Sequence, residues 1–203
     1  MATNTFVAIN IPEAAELADL SGISNDFECA KQFAKRLKEI RESGQPDISL
    51  IEPLTIATLV RYSRPFTTGV RHRLENHELL TLSQVQKVAH DRLRDWRDKH
   101  IAHSVNVFED NQPVARYWIE RFEDEGFSSV ECNSNNLVGM SIGDTEMVIE
   151  LCNHFLERLK LQIEAEKQKV LEVVRSLPKE QVLSMNKPKE LPKINDVAKV
   201  RKR

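Results

Sequence analysis

The sequence predicts a mainly α fold with a long C-terminal helix and a small antiparallel β insert, and three observations carry that expectation. Apolar residues recur at helical spacing through most of the chain. Only residues 114–142 break into short β-prone runs, and from residue 145 to residue 177 a near-heptad apolar stripe runs without interruption. We expect one domain over residues 1–177, with the β insert at about 114–142, followed by a basic, flexible tail over 178–203.

The elements follow from local chemistry. Residues 12–20 predict one brief helix. Residues 26–43 predict a second, with Phe27, Ala30, Phe33, Ala34 and Leu37 on one stripe and Asn25 as its cap. Gly44, Gln45, Pro46 and Asp47 break the chain, and residues 48–62 resume as a helix that Pro65 closes, with Pro53 expected in its first turn. Residues 67–76 are polar and basic, which fits a loop or a short helix. From Ser83 to about His103 a helix is expected, because Val85, Ala89, Leu93 and Trp96 share one stripe that His100 and His103 continue.

Within the insert, residues 116–122, 128–132 and 137–142 predict three strands separated by Gly126 and by the polar stretch 133–136. The last helix is expected to start at Asp144 or Thr145 and to carry Val148, Cys152, Phe155, Leu159, Ile163, Val170, Val174 and Leu177 over about 50 Å. Such a length exceeds the width of a small domain, so the overhanging stripe is expected to pack against a second copy or another protein.

Composition narrows the function classes. Apolar content of 40%, charged content of 30%, 6 Gly and 8 Pro describe an ordinary globular chain. Net charge is -2, yet residues 178–203 carry +5 and the remainder -7. Any contact with nucleic acid therefore has to come from local patches or from the tail. Cys29, Cys132 and Cys152 show no metal-ligand spacing and read as reduced thiols in a cytoplasmic protein. Neither a signal sequence nor an apolar run of membrane-spanning length is visible, so no membrane association is expected. His72 with His77, and Glu150 with His154, lack further ligands, and no metal or cofactor is expected. Phosphate-cradling glycine loops and nucleophile elbows are missing as well.

What remains is the segment Arg97-Asp98-Lys99-His100-Ile101-Ala102-His103, an Arg followed by a polar residue and then a His at the end of a helix. Its wording, together with Tyr62-Ser63-Arg64-Pro65-Phe66 and His90, resembles a poorly characterised group of HEPN proteins related to abortive-infection factors. The resemblance runs from about residue 50 to residue 104. It implies an antiparallel helical bundle, a homodimer, and metal-independent endoribonuclease activity that leaves a 2',3'-cyclic phosphate and a 5'-hydroxyl. A defence or toxin role follows by the same resemblance, with RNA as substrate and a neutralising protein as a possible partner.

The residue types suit that chemistry. Cleavage without metal needs a base for the 2'-hydroxyl proton, an acid for the leaving oxygen, and positive charge for the phosphorane oxygens. His103 can serve as base or acid and Arg97 can hold two oxygens at once. Asp98 would orient one of them, Lys99 and Arg94 would attract phosphate, and His100, Arg64, Tyr62 and His90 would support the site. Arg94 with His100 fits the loose Arg-to-His pattern equally well by spacing.

Residues six apart on an ideal helix are rotated by roughly 240° and separated by about 9 Å. Either the helix ends or bends before His103, or two copies face each other across one cleft. The competing reading is a non-catalytic dimerisation or partner-binding module, in which these same side chains form a structural ion-pair cluster.

Overall fold

A computed structural model of the chain describes residues 6–69, 72–102, 111–117, 127–134 and 139–185. The mainly α architecture is as expected, with six α-helices and one two-stranded sheet among these residues. None of the described helices is long and apolar enough to cross a membrane.

Helix α1 spans Ala15–Glu42, led in by a 3-10 turn at Pro12–Ala14. The expected pair of helices is therefore one helix of 28 residues, and Asn25 lies inside it rather than capping a new start. Ser21, Gly22 and Ser24 look like a break in sequence. However, Leu20, Ile23 and Phe27 are all buried on one stripe, and Ser21 turns its hydroxyl back onto the carbonyl of Leu17 at 2.7 Å. Burial of that continuous stripe outweighs the weak helix propensity of the polar stretch.

Helix α2 spans Ile48–Ser63 and is capped by Asp47, which accepts from the backbone and hydroxyl of Ser49. Pro53 sits beyond the first turn, one turn deeper than expected. A 3-10 turn at Arg64–Phe66 then buries Pro65 and Phe66. The short α3 (Asn76–Leu79) falls at the end of the basic loop. Helix α4 covers Gln84–Trp96 behind a reciprocal Ser83–Gln86 capping box.

Strands β1 (Asn111–Tyr117) and β2 (Phe127–Ser134) pair antiparallel, with Val114 opposite Glu131 and an irregularity at Arg116/Tyr117. The third expected strand is not formed over its described part, since Ser141 caps α5 (Ile142–Ser176) through a second capping box with Asp144. Residues 118–122, 137 and 138 of the expected strands lie outside the described residues. A short α6 (Lys179–Ser184) follows, within the stretch read as tail.

Helices α1 and α5 lie antiparallel along most of their lengths. Lys38 reaches Glu146 at 2.6 Å, Phe27 stacks on Phe155 with centroids 5.0 Å apart, and Glu16 shares a cleft with Lys169. At about 42 Å, α1 is long enough to cover the stripe that sequence reading left overhanging. Val148, Cys152, Phe155 and Leu159 are buried, and Val170 remains only 7% exposed. Most of the reason for expecting a second copy along α5 is thereby removed: the longer α1 supplies the cover.

Helix α2 packs on α1, where buried Asp26 accepts from Arg61 at 2.8 Å and lies 3.4 Å from Arg64. Replacing both arginines by methionine strips these two cations, though not every partner, from a buried carboxylate and is expected to cost about 2 kcal/mol in urea denaturation. A loss below about 1 kcal/mol, the range of exposed pairs, would show that they act as surface charges only.

Candidate functional site

The motif falls where α4 stops being an α-helix. Up to Trp96 the backbone is α-helical. From Arg97 to Ala102 it becomes a π turn with i→i+5 bonding. Trp96, just before it, and Ile101, near its end, pack against the core. Pinned at those two points, the segment leaves Arg97, Asp98 and Lys99 on its outer side.

A π turn rotates the chain less per residue than an α turn, so side chains after Arg97 leave the α-helical angular series. Single-turn π segments recur at functional sites, because they re-aim side chains. The α-helix thus gives way before His103, which is one of the two alternatives that helical geometry left open. His103 itself, and the side chain of His100, lie outside the described residues.

The exposed side chains pair locally. Arg97 donates to Asp98 at 2.7 Å, and Lys99 reaches back one turn to Asp95 at 2.9 Å. Arg97 is one-third exposed and Asp98 half exposed, so the guanidinium is oriented yet open to an incoming anion.

Tyr62 and His90, expected to support the site, meet in the core. The Tyr62 hydroxyl and His90 Nδ1 are 2.8 Å apart, and Phe66 sets its ring edge to face the imidazole at a centroid distance of 4.6 Å. His90 is 1% exposed, and its Nε2 has no hydrogen-bond partner among the described residues. Burial, helped by the neighbouring Arg94 charge, lowers its pKa to about 4, whereas burial raises that of Tyr62. A neutral, enclosed imidazole is no proton shuttle at neutral pH, so the pair anchors α4 on α2.

This gives a pH prediction. Below its ordinary pKa of 6.5 His90 binds a proton in the unfolded chain but not in the folded one until about pH 4. Its share of stability is therefore complete above pH 6.5 and falls through that window by about 1.4 kcal/mol per unit. His90→Gln should remove that part of the slope in urea denaturation at pH 7, 6 and 5. Identical slopes in both proteins would contradict a neutral buried His90.

Arg64 does not reach the motif's ion pairs; it flanks Asp26 beside Arg61, two residues that sequence reading passed over. Arg94 does face a cavity. With Arg73, Glu75, His77, Phe66 and Leu74 it lines a cleft of about 430 Å³ between the basic loop and α4. In the sequence Arg73 stands out only as part of a basic loop. What carried no sequence signal was the fold of that loop, which the Leu74 amide pins to the Pro65 carbonyl at 2.8 Å.

No protein-family model, curated protein or solved structure matches the chain.

Proposed function

We propose that the chain is a metal-independent endoribonuclease of HEPN type, acting in defence or as a toxin. The observation that supports this most is the change from α-helix to π turn at Arg97, the first residue of the motif. That backbone change carries the Arg97–Asp98 pair on the solvent side, where an RNA strand could reach it.

In this reading His103 takes the 2'-hydroxyl proton of an RNA strand. The freed oxygen attacks the adjacent phosphorus, and Arg97 neutralises the phosphorane oxygens. The bond to the 5'-oxygen then breaks as that oxygen takes the proton that His103 has removed, which leaves a cyclic phosphate, a 5'-hydroxyl and a neutral His103. Asp98 keeps the guanidinium aimed. A second copy facing the first across the motif is part of the proposal, as the family resemblance implies.

The test is incubation of purified wild type and the Arg97→Ala/His103→Ala variant with total and defined RNAs in EDTA, followed by mapping of fragment ends. Wild-type-only cleavage with cyclic phosphate ends is expected. Absence of cleavage across diverse RNAs, with both proteins folded and dimeric, would sink the proposal in favour of a non-catalytic binding module.

A further inference from the structure

We infer that the cleft between the basic loop and α4 is an anchoring subsite for single-stranded RNA, in which Arg73 and Arg94 grip a backbone phosphate next to the one at Arg97. The inference rests on the ribonuclease reading for its substrate. Its own support is the state of the two guanidiniums.

Most arginines of the described residues are occupied: Arg36, Arg61, Arg92, Arg97, Arg116 and Arg158 each hold a carboxylate. Arg41, Arg73, Arg94 and Arg175 show no side-chain ion pair or hydrogen bond among the described residues, and of these Arg73 and Arg94 line one cleft together. Two cations at one cavity, neither held by a carboxylate, raise the local potential and favour an anion there. Glu75 is also present, but it faces His77 at 3.7 Å, and His77 in turn lies 3.2 Å from buried Glu78.

The cavity is shaped as well as charged. Its lining is mostly polar, with Arg73, Arg94, His77 and Glu75 above a smaller apolar floor of Phe66, Leu74 and Leu79. Arg73 is exposed on the loop while Arg94 is half-buried on the helix, so the two approach from different elements. Such a pair can take one phosphate from two sides.

Position selects a strand over a free nucleotide. Arg94 precedes Arg97 by three residues on one helix, where neighbouring side chains lie about 5–6 Å apart at Cβ. A chain of phosphates held at Arg94 therefore continues directly to Arg97.

The experiment measures binding of a fluorescein-labelled single-stranded oligoadenylate in EDTA. A full-length His103→Ala chain, which leaves the probe intact on the proposed mechanism, is compared with the same chain carrying Arg73→Ala and Arg94→Ala. Affinity is expected to fall roughly 10- to 100-fold. The slope of log affinity against log salt should shrink by about 0.7 for each phosphate that is no longer neutralised. Lys substitutions at both positions should retain part of the binding, and Lys35→Ala on α1 should change nothing.

Unchanged RNA affinity in the double substitution, with melting temperatures matched, would overturn the subsite. So would equal affinity for AMP, which would mark a free-nucleotide pocket, or for polyglutamate, which would mark a general polyanion patch. Binding that depends on Arg73 and Arg94 in a wild-type protein that cuts no RNA would leave the subsite standing and remove the ribonuclease reading instead.

Discussion

His103→Ala is expected to lower RNA cleavage by about 10² to 10⁴-fold, the usual contribution of a positioned general acid or base. Arg97→Ala should cost a similar factor, since a cation on the phosphorane oxygens acts mostly in the transition state. The two losses together should fall short of their product, because both residues serve one step. Single-turnover rates under saturating RNA separate this from weakened binding: kcat falls while KM changes little. Arg97→Lys is the sharper control. It keeps the charge but loses the two-pronged geometry, so it should recover only part of the rate. If His103→Ala cleaves as fast as wild type, with contaminating nucleases excluded, the assignment of the base is wrong.

The second large effect is on stability. Gly139 has φ +110°, a conformation open to glycine and strained for other residues. A Cβ there would lie 2.6 Å from Thr55 Oγ1 and 2.8 Å from Ile51 Cγ2. Thr55 Oγ1 is also the acceptor for the Met140 amide at 3.1 Å, so the added methyl would displace the bond that ties the start of α5 to α2. Backbone strain, overpacking and a lost buried hydrogen bond together predict about 3 to 5 kcal/mol for Gly139→Ala. Urea denaturation checks this, and Gly44→Ala, where a Cβ would meet nothing within 4 Å, is the reference substitution. Equal midpoints for the two variants would mean that the segment relaxes away from α2.

How much was legible in sequence depended on whether the cause was local. Ser83 with Gln86 announces α4 because a capping box is written in adjacent residues, and the stripe of α5 is visible because it repeats. The same logic was available at Ser141 and Asp144. Reading that stretch as a strand placed β-prone Val138 and Ile142 above the cap. Continuity of α1 through Ser21 and Gly22 was not legible, because it depends on Ile23 being enclosed by partners far along the chain.

For the site, residue types and order gave Arg97, Asp98 and Lys99 as neighbours, and they do pair among themselves and with Asp95. Tyr62 and His90 were associated by resemblance, but only the fold shows them to be a buried anchor. The π turn left no mark in the sequence. Nor did the convergence of Arg73 and Arg94, which joins a loop to a helix.

The antiparallel pairing of α1 with α5 also has a consequence in time. Lys38 waits for Glu146, Phe27 for Phe155 and Glu16 for Lys169. On a ribosome, the motif at residues 97–103 is made well before the second half of that pairing exists. The first helix must therefore stay without its main partner until α5 has been synthesised, and the scaffold under the motif closes only then. A chain interrupted between residues 104 and 142 would carry Arg97 and His103 but not α5, so any RNA-cutting activity would begin only after most of the protein had been made.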